Sequence, residues 1–330
     1  MSLILTTLSA AALLMPQGPD SSVTEASAAK PQSEVWMTDF AAAQALAAKE
    51  GKDLLVDFTG SDWCSWCIKL DEEVFDQQAF LDEASQKFVF VKLDFPRRKE
   101  QSAEIKKQNQ ELQQRFGVQG FPTILLCDAE GMPFAKTGYQ PDGPEAYLSH
   151  LAELGEAKTA RDEGMARAAA AEGAERAEIL AEVIEALPPE LHAQYRGLME
   201  EIAKLGDDEL KAEYEGRLKQ LDLVAARQQL DGRINELAMA ENWAGAVTAI
   251  EEFLAANEGV LDTLGTQEMH LLIAMLRHRD GDVRGAIDAM KAGLAIDPNS
   301  PIAPNFEQGI EKLTEMLEAE AGQAEAGDGY

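Results

Sequence analysis

Two cysteines three positions apart, in Trp63-Cys64-Ser65-Trp66-Cys67, are the residues of this chain whose type and spacing most clearly suit chemistry. They follow a short apolar run, Leu54-Leu55-Val56-Asp57-Phe58, with the length of a buried strand. They open a stretch in which Cys67, Ile68, Leu70 and Val74 recur at helical spacing. A thiolate at a helix N-terminus is stabilised by unpaired backbone N–H groups and by the positive end of the dipole, so Cys64 is expected to be the nucleophile. Cys67, one turn inside on the same face, is within disulfide reach and shielded, which suits a resolving thiol. The chemistry this predicts is thiol–disulfide exchange. Two other readings compete. Two cysteines are half of a zinc site, but no second pair exists and His150, His192, His270 and His278 lie far along the chain, so no metal is expected. A purely structural disulfide would close so short a loop that it would stabilise little. The third cysteine, Cys127, sits within a strand pattern and reads as a small buried hydrophobe rather than a further redox centre.

The elements around the pair can be read from periodicity and capping. Thr38 or Asp39 caps a helix with Phe40, Ala43, Leu46 and Ala47 inward, and Gly51 ends it. Leu54–Phe58 is a strand, followed by helices over Cys64–Val74 and Phe75–Ser85, and Phe88–Leu93 is again a strand. Gln101–Phe116 suits a helix stopped by Gly117, and Val118–Pro122 a turn. Thr123–Cys127 and Pro133–Gly138 form a hairpin about Asp128–Gly131, and Glu145–Leu154 a closing helix. This order predicts an α/β domain, a mixed sheet sandwiched by helices.

On these residues the chain resembles the thioredoxin superfamily, in particular exported bacterial members, over about residues 34–154. The resemblance rests on Gly60-Ser61-Asp62-Trp63-Cys64-Ser65-Trp66-Cys67 and on Gly120-Phe121-Pro122-Thr123 standing before a strand. It implies a cis bond before Pro122, facing the dithiol and leaving the Phe121 backbone free to pair with an extended substrate. Phe121, Pro122 and Thr123 would then be substrate-binding; the competing reading is a trans proline in an ordinary turn. It also implies that Asp57 is a buried carboxylate taking the proton of the resolving cysteine, with Lys92 as its partner. A solvated Asp at a strand end is the alternative. An insertion around Arg97–Gln110 departs from the family pattern and is expected to lengthen a helix. Ser65-Trp66 between the cysteines tunes the potential and leaves the direction of electron flow open. Trp63 and Trp66 are expected to offer an apolar rim to substrate polypeptide, although Trp63 could instead pack beneath the loop.

The remainder of the chain frames this domain. Net charge is −30, divided as −9 over residues 1–150 and −21 over 151–330, which opposes binding to nucleic acid or anionic lipid. Leu3–Met15 is an apolar run too short to span a bilayer, and Ala26-Ser27-Ala28 is a small-residue cleavage pattern. Residues 1–28 therefore read as a signal peptide and 29–33 as a linker. The expected location is periplasmic, with a cytoplasmic one as the alternative, and no integration into the membrane is expected. Residues 155–318 read as all-α, and 319–330, without large apolar side chains before Tyr330, as a disordered tail. Within the helical part, Glu241–Ala246 with Ile250 and Leu254 is echoed 40 residues on by Gly281–Ala286 with Met290 and Leu294, resembling a tetratricopeptide-like hairpin.

Together these predict a thioredoxin-like domain followed by a helical one, a protein thiol–disulfide oxidoreductase whose only prosthetic device is its own redox-active disulfide. Its partners would be protein disulfides and an unidentified redox partner protein. The rival reading is an interaction protein in which the helical half recruits a partner and the α/β domain is a non-catalytic peptide-binding adaptor; an isomerase or oxidant would share the same site.

Overall fold

The computed structural model describes residues 35–327, with side chains to residue 319. The expected signal peptide, the linker and the end of the expected tail lie outside the described residues. The chain begins with a two-residue strand β1 (Trp36–Met37), not anticipated from the sequence because two residues carry no periodicity. Helix α1 (Phe40–Glu50) is capped by Asp39, whose carboxylate accepts the Ala42 N–H. It stops at Gly51, which takes the left-handed conformation at φ 66°. Next come β2 (Asp53–Thr59), α2 (Ser65–Leu70) running into a π turn at Asp71–Phe75, α3 (Gln78–Ala84) and β3 (Phe88–Asp94). They are followed by α4 (Ala103–Arg115), β4 (Thr123–Cys127), β5 (Pro133–Thr137) and α5 (Gly143–Ala169).

The five strands form one sheet in the order β1-β3-β2-β4-β5. The first three are mutually parallel, β4 runs antiparallel to β2, and β5 antiparallel to β4. Strand alternation then assigns the side chains. Leu54, Val56 and Phe58 of β2 join Val89, Val91 and Leu93 of β3 in the core under α1 and α4. Leu55 and Phe90 face the other core, under α2, α3 and α5. Asp57 and Lys92 belong to this second face by the same alternation, and they stand directly opposite each other in the β2–β3 register.

Helix α5 was expected to end near Leu154, but it continues to Ala169, so the expected domain boundary falls inside a helix. The core under it does not stop there either. It runs through α6 (Gly173–Glu185), a 3-10 turn (Pro189–Tyr195), α7 (Arg196–Leu205) and the start of α8 (Asp208–Met239), taking in Leu180, Ile184, Met199, Ile202 and Tyr214. Leu191 of the 3-10 turn enters the opposite core of the α/β domain. A buried polar clasp fixes this junction: the Arg161 guanidinium pairs with Asp128 at 2.9 Å and donates to the Tyr195 hydroxyl at 3.1 Å. That hydroxyl in turn donates to the Pro133 carbonyl at 3.0 Å.

A third core, from Leu230 to Leu313, belongs to the end of α8 and to α9 (Trp243–Ala256), α10 (Thr263–Arg279), α11 (Val283–Ile296) and α12 (Ala303–Gly327). The 40-residue echo is reproduced structurally. Asn242 and Asp282 occupy equivalent N-caps at φ/ψ of −90°/73° and −84°/74°, accepting the N–H groups of Gly245 and Gly285. Each cap side chain sits where a Cβ on that glycine would lie, so the motif selects glycine by close approach. Helix α12 continues to Gly327, where disorder was expected from Ala319. Its terminal segment is Ala- and Glu-rich, and such residues favour helix without supplying the large apolar side chains a core needs.

Candidate functional site

The dithiol lies at the start of α2. Cys64 is its N-cap, in extended backbone, and its Sγ accepts the Cys67 N–H at 3.2 Å. The two cysteines are joined as a disulfide with Cα atoms 5.3 Å apart. Cys64 retains 7% of its surface and Cys67 only 1%, so an incoming sulfur meets Cys64 first. The loop before them folds back on itself, with the Trp63 and Cys64 N–H groups both donating to the Gly60 carbonyl. Gly60 has to be glycine, because a Cβ there would stand 2.6 Å from the Trp63 ring.

The two tryptophans part company. Trp66 is 55% exposed, packing against Tyr139 in a tilted arrangement at a centroid separation of 5.1 Å, with the Lys69 ammonium over both rings. Trp63 is half-buried. Its Nε1 donates to the Phe95 carbonyl at 2.8 Å, Phe121 meets it edge to face at 5.9 Å, and the Arg97 guanidinium lies 3.8 Å over its ring. Of the two readings of Trp63, the packed one describes its position, and Trp66 carries the open apolar surface.

The segment that embraces Trp63 is the insertion. Its first part belongs to a loop over residues 95–102, and the remainder, to Gln110, is the beginning of α4, which starts at Ala103. Asp62 holds it: its carboxylate accepts the N–H groups of Arg97, Arg98 and Lys99 at 2.9, 2.7 and 3.1 Å, and these bonds keep the carboxyl below its usual range. Asp94 accepts both the N–H and the hydroxyl of Ser61 from the other side. Neither aspartate was singled out from the sequence. Their signal would have been two carboxylates flanking a dithiol loop of fixed length, legible only once the insertion was known to return to that loop.

In the loop before β4, the Phe121–Pro122 peptide is cis, and Thr123 closes the turn by donating its hydroxyl to the Gly120 carbonyl at 2.8 Å. Phe121 packs against both Trp63 and Phe95, so the Gly120–Thr123 loop abuts the dithiol loop through aromatic contact.

In β2, Asp57 is buried, and its Oδ1 has no hydrogen-bond partner among the described residues. Burial pushes its carboxyl up to about 8; Lys92 opposes the rise, while Asp71 and Asp94 add to it. The Lys92 Nζ is 3.9 Å from Asp57 but 2.7 Å from Asp71, and it also lies over the Trp36 ring at 4.9 Å. Sequence reasoning paired Lys92 with Asp57 alone. The closer partner, Asp71, comes from the π turn that ends α2, a backbone irregularity of the kind often found at functional sites. Burial opposes the charge on Lys92, but the two carboxylates outweigh it and hold the ammonium above the usual lysine range. Tyr147 lies close enough to Asp57 that burial and the aspartate charge both push its hydroxyl up. Cys127 is fully buried in β4, and desolvation pushes its thiol up, so it stays a neutral hydrophobe.

Residues 40–153 match the model of a thioredoxin-like domain family. The chain is 38% identical over 103 residues to the disulfide bond reductase DsbH of Chlamydia pneumoniae, covering 31% of this chain and 62% of that protein. It is 30% identical over 104 residues to the thioredoxin-related protein DsbJ of the same organism, covering 32% of this chain and 30% of that protein. The match thus spans less than two thirds of either relative. Among solved structures, a DsbH oxidoreductase aligns at 33% identity and a TM-score of 0.37, covering 42% of this chain and 94% of that one. The oxidised C-terminal domain of Neisseria meningitidis DsbD aligns at 14% identity and a TM-score of 0.27, covering 36% and 98%. The α/β portion is a thioredoxin-like domain, and a helical region follows it.

Proposed function

We propose that this protein is a thiol–disulfide oxidoreductase that reduces protein disulfides through Cys64 and Cys67. The observation that carries the reading is the asymmetric pair at the start of α2: one sulfur reachable and served by a backbone N–H, the other shielded. In the forward reaction the Cys64 thiolate attacks one sulfur of a substrate disulfide and displaces the other as a thiolate, leaving a mixed disulfide. Cys67 then loses its proton and attacks the Cys64 sulfur, releasing the second substrate thiol and forming the Cys64–Cys67 disulfide. Two electrons pass from the dithiol to the substrate, and a protein dithiol has to return them.

Asp57 is suited to receive the Cys67 proton. A carboxyl held near 8 is a far stronger base than an ordinary aspartate, and strand alternation sets Asp57 on the face of the sheet that α2 covers, which supports this role. Phe121, Pro122 and Thr123 would hold an extended substrate segment, with Trp66 as the apolar contact. The name of the DsbH relative favours reduction as the direction. The apolar Leu3–Met15 and Ala26-Ser27-Ala28 support an exported protein, and among the described residues no helix is long and apolar enough to cross a membrane.

Trapping tests the assignment. Cys67→Ser should accumulate a mixed disulfide with a disulfide-containing protein substrate, Cys64→Ser should accumulate none, and neither should turn over. Trapping on Cys67 in place of Cys64, or full activity in cells of a Cys64→Ala, Cys67→Ala double variant, would replace this reading with the adaptor one.

A further inference from the structure

The helical half contributes a wall to a groove that starts at the site. Gly120 and Thr123 flank the cis bond and belong to the loop that touches Trp63 through Phe121, and the same two residues line a cavity of about 650 Å³. Its opposite wall is α8, through Leu221, Val224, Ala225 and Gln228. A second cavity of about 500 Å³ adjoins it and shares Gln114, Gly117, Gln119, Ala225 and Gln228, so the two form one continuous open trough along α8. The position of α8 is not incidental, because its first turns enter the core of the α/β domain at Tyr214.

The trough has the chemistry of a polypeptide site. Val224 is 56% exposed on α8, an apolar side chain left facing it. The side-chain amides of Gln114, Gln119, Gln228 and Gln229 take part in no hydrogen bond among the described residues. A carboxamide offers both donor and acceptor, which matches the unpaired N–H and C=O groups of an extended chain. The charge is also locally reversed. In a protein of net charge −30, Arg115, Lys136 and Arg196 line this trough against the single carboxylate Glu190. Arg196 is already paired with Glu200 and Asp222, whereas Arg115 and Lys136 form no ion pair among the described residues.

Building on the oxidoreductase reading, we infer that this trough binds an extended, neutral to acidic polypeptide segment of the substrate that flanks its reactive disulfide. The helical half thereby acts as a second wall of the substrate site and sets a preference for unfolded or flexible protein substrates over small disulfides. The segment would leave the dithiol past Gly120 and run along α8, its backbone met by glutamine amides and its carboxylates by Arg115 and Lys136.

The test compares two substrates. A Val224→Glu, Gln228→Glu variant, both residues lying on the exposed face of α8, is assayed against a disulfide-containing unfolded protein and against glutathione disulfide. The expected result is at least a tenfold fall in kcat/KM for the protein, mainly in KM, that is relieved by a substrate segment carrying Lys in place of Asp or Glu, which pairs with the introduced carboxylates, with glutathione disulfide turnover retained. Equal rates with both substrates, or equal losses with both, would overturn the groove. In a second measurement a photoreactive side chain at position 228, combined with Cys67→Ser, should crosslink to the trapped substrate; mixed disulfide without crosslink would also overturn it. Failure of the wild-type protein to reduce glutathione disulfide and protein alike would instead defeat the redox reading itself.

Discussion

If Asp57 is the base for Cys67, its proton affinity should be tunable in opposite directions from the two groups that flank it. Lys92→Met removes a cation 3.9 Å from Asp57 Oδ2. At an effective dielectric of about 20, that contact is worth up to about 4 kcal/mol, or roughly three pH units. Lys92 keeps about a fifth of its side chain in solvent, so a rise of one to two units above the wild-type value of about 8 is the expected shift. Asp71→Asn removes an anion instead. The Lys92 contacts place Asp71 within about 7 Å of Asp57, where the same dielectric gives about 2 kcal/mol, and a free Lys92 can then turn wholly to Asp57. Its midpoint should fall by about one unit. The assay is a rapid-mixing measurement of the second step, resolution of a preformed mixed disulfide on Cys64, across pH 5–10. The base acts when deprotonated, so the rate should rise with pH about the Asp57 midpoint, move alkaline in Lys92→Met and acid in Asp71→Asn, and lose that limb in Asp57→Asn. Midpoints that move the same way in the two variants, or that stay put, would refute the assignment of Asp57 as base.

The same carboxyl makes a prediction about stability. Its folded-state pKa is raised from 3.8 to about 8, so the folded protein binds more protons than the unfolded chain between those values, and Asp57 destabilises the fold progressively as pH rises through that window. Asp57→Asn should therefore gain roughly 1–4 kcal/mol at pH 8 and little at pH 4, read from denaturant midpoints at the two pH values; a gain independent of pH would contradict the shift. At the junction, Arg161→Met should cost about 3–5 kcal/mol by leaving Asp128 without its cation. Hydrogen exchange should quicken in the Pro189–Tyr195 turn, which Arg161 holds through Tyr195, while the α9–α12 hairpins stay protected.

Much of the molecule was legible because its signals are local. The strand-then-helix context of Cys64 and Cys67, the Asp39 cap, the Gly51 and Gly117 stops, and the alternation of β2 each depend on a few consecutive residues, and each is reproduced in the fold. The 40-residue echo was legible for the same reason: a cap side chain and a glycine three residues on form a unit that repeats in sequence whenever it repeats in space. What the sequence alone determined, then, was the class of fold and the position of the Cys64–Cys67 pair at the start of a helix. It could not fix contacts made between segments far apart. Whether Lys92 answers to Asp57 or to Asp71 depends on the π turn carrying Asp71 back to the sheet, and whether Trp63 is a rim or a floor depends on a loop more than 30 residues away returning to cover it. The end of α5 and the reach of the core beneath it were likewise set by what packs on them. An amphipathic helix ends where its partners end, and only the assembled structure decides that α6, α7 and the start of α8 close over the α/β domain and bring a helical wall beside its Gly120–Thr123 loop.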